Sequence, residues 1–504
     1  MRFYFLFAIL LTGLSANAQN LSTKRIQQLS DEQLPTAIKE FRSFLSIPND
    51  GHFDDHVVPN IVWCRQAFSD LGFDLFTIEA KKADMLLATK QIDPKKKTVL
   101  FYLQIDGQPA DTAAWDQLSP YEPALKKAVG DDWQAVDWDE LKNQINLDYR
   151  IFARSASDSK GPAMALIQAL KIMDEQKFSP AFNVKVIMDF QEELGSPELP
   201  GAVARYKEEL QADFLVIMDG VRSVINEPTL TFGARGMSTI TLKIYGPKEP
   251  QHSGQFGNFA PNPVFKATQL IAGMKDENGK VIIPGFYDGV SLSDEEKAIL
   301  ATVPDDQQDI LNTLGIAKAD AVGSTYQEAL QYPSLNIRGM QAAWVGKEVR
   351  TIIPSEVIIE IDMRLVPETP GQRQVDLVKK YIQDQGFHLI EGEPTEEERS
   401  RYEKLAGFKY RLGSVPFRTD YGTPMDKWLT SAITRATGKA PIRMRTTGGS
   451  QPIGPFVNTL NVPAISVRIP NPGSNIHAPN ENIRIGNFLE GIQTCLGILT
   501  ESIK

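Results

Sequence analysis

An open α/β sheet with helices on both faces, carrying an inserted α+β sandwich, is the fold class that this sequence predicts. Three observations predict it. Short apolar runs alternate with helical stretches, the texture changes near residue 228 and reverts near 416, and 504 residues exceed what one hydrophobic core holds.

Taken in order, the apolar runs at 98–103, 183–188, 213–218 and 463–467 read as strands of one sheet. Helical patterns over 161–176 and 200–211 lie between them. Residues 229–245 alternate as a strand pair around 233–236, and an apolar-periodic helix follows over 263–274. A β-branched run at 356–363, a helix at 372–385 and another short strand come next. Two helices on one antiparallel sheet make an α+β sandwich, so 229–415 is expected to be an inserted domain. Within it, 291–329 reads as a polar helical elaboration and 391–401 as a charge-rich connector. The first domain then comprises 19–228 and 416–504.

Composition narrows the function. Hydrophobic residues at 42% and charged residues at 23% belong to a folded chain rather than a disordered one. A net charge of -10 lacks the basic footprint of a nucleic-acid binder. Arg2, the apolar residues 3–14 and the small-x-small run Ala16-Asn17-Ala18 read as a signal peptide over 1–18. Export to a periplasm or the exterior is therefore expected, with the mature chain beginning near Gln19. No later stretch approaches the about 20 apolar residues of a spanning helix, so no integral membrane segment is expected after cleavage. Cys64 and Cys495 are the only cysteines, too few for disulfides to be the main support of the fold.

The chemistry gathers where the strands of the first sheet end. Ligands of open α/β sheets sit beyond the carboxyl ends of the strands, and here the residues just past those ends are mostly acids. Asp106 follows the first run, Glu192 and Glu193 the second, and Asp219 the third, while Asp158 precedes a helix and His477 follows the last run. Taken singly, Asp219 reads as a solvated loop acid, Asp158 as a helix cap, and His477 as a surface histidine. Taken together, so many converging carboxylates repel one another unless a cation joins them, and a divalent metal accepts oxygen and imidazole ligands.

The words around these residues resemble a known family. Ser157-Asp158-Ser159-Lys160-Gly161-Pro162, Gln191-Glu192-Glu193-Leu194-Gly195-Ser196 and His477-Ala478-Pro479-Asn480-Glu481 are similar to motifs of one dinuclear metallopeptidase family. That family includes carnosinase-like dipeptidases, succinyl-diaminopimelate desuccinylases, acetylornithine deacetylases and glutamate carboxypeptidases. The resemblance implies a metal-dependent hydrolase that cuts an amide bond in dipeptides or small peptides with a free carboxylate. Asp158 is then the ligand shared by two metals, Glu193 and His477 hold the second, Asp219 holds the first, and Glu192 is the general base. Asp106 is expected beside Glu192 among the catalytic groups. His252, in His252-Ser253-Gly254-Gln255-Phe256-Gly257, resembles a lid histidine that reaches a partner subunit's site, which makes the inserted domain a lid and dimerisation domain and implies a homodimer. Arg364, in Arg364-Leu365-Val366-Pro367, resembles an arginine that grips the substrate carboxylate, and Gly448-Gly449-Ser450 a turn that lines the pocket.

One position departs from the pattern. Gln104 stands where the family has a histidine ligand of the first metal. Its carboxamide oxygen is a weaker ligand, so one or two divalent ions per chain are expected, zinc at the second position and manganese or magnesium at the first. Two alternatives stay open beside the peptidase: an N-acyl amino acid deacylase, and a degenerate member that binds peptide without turnover.

Overall fold

A computed structural model describes residues 21–142 and 144–504. The signal-peptide reading of 1–18 lies outside the described residues. The larger sheet has eight strands in the order Asp74–Ile78, Met85–Lys90, Asn183–Asp189, Thr98–Gln104, Phe214–Ile217, Ala464–Arg468, Thr229–Thr231 and Ile442–Met444. Its four middle strands, from Asn183–Asp189 to Ala464–Arg468, run parallel.

Alternation explains how helices come to cover both faces. Val99, Phe101 and Leu103 point to one side of Thr98–Gln104, and Leu100 and Tyr102 to the other, all of them buried. Helices Thr23–Leu45, Lys160–Glu175, Pro424–Thr437 and Ile485–Thr500 pack on the first side. Leu199–Arg205 and Gly454–Leu460 pack on the second. A strand buried on both faces has no polar side to alternate with, which is why these segments read as unbroken apolar runs. Local signals set the ends of the covering helices. Thr423 caps Pro424–Thr437 by accepting from the Asp426 amide, Pro424 fits the first turn, and Gly438 ends the helix at φ 77°.

The smaller sheet has five strands in the order Ser334–Gln341, Glu356–Leu365, Gly236–Tyr245, Leu405–Leu412 and His388–Ile390. Val357, Ile359, Ile361, Met363 and Leu365 alternate inward along Glu356–Leu365 and meet helices Pro263–Ala272 and Gly371–Asp384. Each such side chain contributes roughly 1.5–3 kcal/mol by leaving water.

Three sequence readings need correction. Residues 229–245 are not a strand pair: Thr229–Thr231 joins the larger sheet, Gly233–Ala234 pairs with Phe417–Arg418, and Gly236–Tyr245 runs through the smaller sheet. A Cβ on Gly233 would stand 2.4 Å from the Phe417 carbonyl oxygen, and one on Gly236 would stand 2.5 Å from the Pro416 ring, so these glycines permit the crossing between sheets. The helix read over 200–211 breaks at Tyr206 into Leu199–Arg205 and Lys207–Leu210. The connector at 391–401 carries the helix Glu396–Arg401, started by a reciprocal capping box between Thr395 and Glu398. Four strands at Ala124–Val129, Asp132–Val136, Arg150–Phe152 and Asn482–Arg484 form a further small sheet that the sequence reading did not identify. Cys64 and Cys495 are both buried and unpaired. No described helix is long and apolar enough to cross a membrane.

Candidate metal centre

Three of the expected residues converge. Asp158 stands just before helix Lys160–Glu175, Glu193 lies in the short turn Glu192–Leu194 after Asn183–Asp189, and His477 lies in the loop after Ala464–Arg468. One donor atom from each falls within 4.8 Å of the other two, the only such group of His, Cys, Asp or Glu among the described residues. His477 Nε2 is 2.9 Å from Asp158 Oδ2 and 3.3 Å from Glu193 Oε2.

Buried braces hold the two carboxylates. Glu481 is wholly buried and paired with Arg154 at 2.8 Å. Its carboxylate accepts from the backbone amides of Ser155, Ser157 and Asp158, so it ties the loop that carries His477 to the loop that carries Asp158. Asp106 lies behind the double glutamate and accepts from the amides of Glu192 and Glu193, each at 3.0 Å. It does not line the cleft. Its effect runs through the backbone of the pair, so it is a positioning residue rather than the catalytic group expected for it.

The residues around the cluster divide into two sides. On one, Asp158, Glu193 and His477 present two oxygens and a nitrogen, a donor set that fits a divalent cation while leaving coordination positions for water or substrate. On the other, Asp219 accepts from the Gln451 amide, while the Ser159 hydroxyl, 3.4 Å from Asp219, donates to Asp158 at 2.9 Å. Gln104 donates its amide nitrogen to Glu193 Oε1 at 2.9 Å, and Gln108 donates to Oε2 at 2.7 Å. A carboxylate accepts only, so the NH2 end of Gln104 must be the end that faces Glu193. Gln104, expected as a ligand of the first metal, here donates its amide to Glu193.

Electrostatics follow from this crowding. Burial first, then the charges of Asp219, Glu193, Asp106 and Asp158, raises the Glu192 carboxyl well above the ordinary glutamate range. Burial pushes Asp158 up to about 6 despite its hydrogen bond to His477. The hydrogen bond to Asp158, then the one to Glu193, pushes His477 up to about 10.

A cleft of about 690 Å³ opens over the cluster. Glu192, Glu193, Asp158, Asp219, Gly449, Ser450 and His477 line it from the larger unit, and Met237, Arg411 and Leu412 line it from the smaller sheet. Gly448 is outside the lining. Arg364, on Glu356–Leu365, donates to the Ser450 hydroxyl at 3.0 Å and so stands at the edge of the cleft. His252 is exposed, accepts from the Gly254 amide at Nδ1, and is not among the lining residues. Sequence reasoning missed Gln108, Gln451 and Arg468, which also line the cleft. Arg468 sits at the end of a strand already recognised, the same signal that singled out the acids.

Comparison with known proteins agrees with this geometry. The description "Peptidase family M20/M25/M40" matches residues 100–501. The chain is 27% identical over 413 residues to human Beta-Ala-His dipeptidase, across 81% of this chain and 75% of that protein. It is also 27% identical over 411 residues to the Cys-Gly metallodipeptidase of Schizosaccharomyces pombe, across 80% and 79%. Among solved structures, an M20 family metallo-carboxypeptidase from Sulfolobus solfataricus matches at a TM-score of 0.75 and 25% identity, covering 92% of this chain and 98% of that one. Human carnosine dipeptidase 1 matches in fold at a TM-score of 0.71 and 23% identity, with 95% and 98% covered.

Proposed function

The chain belongs to peptidase family M20/M25/M40 and is a metal-dependent hydrolase of amide bonds, and from that premise we propose that it cleaves dipeptides with a free C-terminal carboxylate. The convergence of Asp158, Glu193 and His477 under a cleft that also holds Glu192 carries this reading. The names of the relatives, a Beta-Ala-His dipeptidase and a Cys-Gly metallodipeptidase, support the substrate class.

Asp158, Glu193 and His477 would hold the ion, zinc in our reading because imidazole suits it. When bound, a divalent ion supplies Lewis acidity, which polarises the substrate carbonyl and acidifies water. Glu192 takes the proton from the attacking water, a task suited to a carboxyl whose proton affinity is raised. It then delivers that proton to the amine nitrogen as the C–N bond breaks, leaving a carboxylic acid and a free amine. Asp106 keeps Glu192 and Glu193 in register through their amides. Arg364, steadied by Ser450, would receive the substrate carboxylate, a role that suits its planar fork.

His252 is exposed and outside this chain's cleft, which supports its acting in the cleft of a second copy within a homodimer. Mixing inactive His252→Ala with inactive Glu192→Gln would then restore activity in hybrid dimers, whereas verified subunit exchange without recovery would count against that role. Export rests on residues 1–18 alone, and N-terminal sequencing of the protein recovered from cell fractions tests it.

A hydrolysis panel tests the substrate reading. Dipeptides should be cut, their C-terminal amides should be cut far more slowly, and N-acyl amino acids should be poor substrates. Faster release from N-acyl amino acids than from every dipeptide would make the chain a deacylase instead.

A further inference from the structure

The acidic cluster has more negative charge than one ion balances. Asp158, Glu193 and Asp219 all line the cleft, and a lone divalent ion leaves one of these carboxylates uncompensated. A second ion beside Asp219 is the solution that the dinuclear resemblance implies, yet the groups on that side are hydrogen-bond donors. The Gln451 amide is aimed at Asp219, and the Gln104 amide is aimed at Glu193. An N–H directed into a pocket opposes a cation there, because a metal needs lone pairs.

A fixed cation stands on the same side. Ala464–Arg468 runs parallel to Phe214–Ile217 with Ser466 opposite Ile217, so two further steps bring Arg468 level with Asp219. Its guanidinium lies across Gly220: a Cβ on Gly220 would fall 1.3 Å from Nη1, so only a residue without a side chain leaves the room. Arg468 Nε donates to the Thr231 hydroxyl at 3.0 Å, which fixes the group, and Arg468, Gly220 and Asp219 line the cleft together. Burial lowers the proton affinity of Arg468, while the charges of Asp219 and then Asp158 oppose that and help keep it cationic.

We propose that Arg468 supplies a permanent positive charge on the Asp219 side of the cleft, in place of the charge a second metal ion would bring, so that this cleft works with a single ion. The proposal rests on the reading that Asp158, Glu193 and His477 hold that ion. Of the four carboxyls in the cleft, Asp158, Glu193 and Asp219 are then balanced by one divalent ion and one guanidinium, and Glu192 is left as the proton carrier. Gln104, Gln451 and Arg468 form one coherent replacement: two amides that turn their N–H groups toward Glu193 and Asp219, and a cation on the same side of the cleft.

Manganese binding tests this without reference to turnover. The native protein, saturated with Mn2+ and dialysed, is expected to hold one ion per chain with the paramagnetic resonance spectrum of an isolated ion. Two ions with a spin-coupled spectrum would overturn the proposal. No bound ion would instead overturn the underlying metal reading, so the two failures are distinct. The double substitution Gln104→His with Arg468→Leu restores an imidazole and removes the cation. It is expected to take up a second ion, with affinity at that position raised by about 10- to 100-fold. A folded double variant that still holds one ion would contradict the claim that these two residues exclude the second.

Discussion

Glu192 and Glu193 are neighbours with identical side chains, and their surroundings give them different work. Glu193 accepts from Gln104 and Gln108 and lies 3.3 Å from His477, so its oxygens are fixed as acceptors within the ligand group. Glu192 has no such partners and carries a proton affinity raised by burial and by four neighbouring acids. Glu192→Gln keeps the shape and removes the proton carrier. It is expected to lower kcat by about 10²- to 10⁴-fold while metal content per chain stays unchanged. Loss of the metal with that substitution would make Glu192 a ligand.

His477 sets the pH dependence of metal binding. Without an ion it keeps a proton shared towards Asp158 and Glu193, with its pKa pushed up to about 10. A metal accepts only the neutral imidazole, so binding must expel that proton. Between pH 6 and 9 the free site carries a proton that the loaded site lacks, and affinity therefore rises with pH and falls on acidification. The slope is expected to approach about tenfold per pH unit for one proton. Calorimetry in buffers of different ionisation enthalpy reads the released proton directly, and an affinity flat across that range would contradict the assignment. Asp158, Glu193 and His477 were legible in the sequence because each sits in a short word of fixed types next to a strand or helix end. Gln451 was not, since an amide carries no metal signal until its direction in space is known, and Arg468 shared the strand-end position of the acids without their ligand chemistry.

At the scale of elements, the loops that carry Asp158 and His477 come from distant parts of the chain, and one buried acid joins them. Glu481 accepts three backbone amides beside Asp158 and pairs with the buried Arg154. Glu481→Ala would strand Arg154 without a partner, a change that costs about 3–5 kcal/mol in comparable buried pairs. Urea denaturation is expected to show a loss of that order together with weakened metal binding. A drop below 1 kcal/mol with unchanged affinity would show that the loops hold themselves. The middle strands were readable from their apolar runs, and the helices over them from their period. Residues 229–245 were misread because alternation identifies a strand without naming its partners, and here three successive strands pair in three different sheets. The pairing of Ala124–Val129, Asp132–Val136 and Arg150–Phe152 in a further sheet was hidden for the opposite reason: the first two are half exposed and mix lysine, aspartate and tryptophan with the apolar residues.

For the whole molecule, the larger unit brings the acids together at the ends of its parallel strands, and the smaller sheet closes over them with Met237, Arg411 and Leu412. The dependence of amide hydrolysis on an ion held by Asp158, Glu193 and His477 is the central claim. Its most direct test follows dipeptide hydrolysis as metal is removed by chelation, dialysed away and returned in measured amounts. Activity is expected to vanish in the stripped protein and to return in proportion to bound ion, with no return in His477→Ala. Full hydrolysis by protein shown to contain no metal would contradict the account.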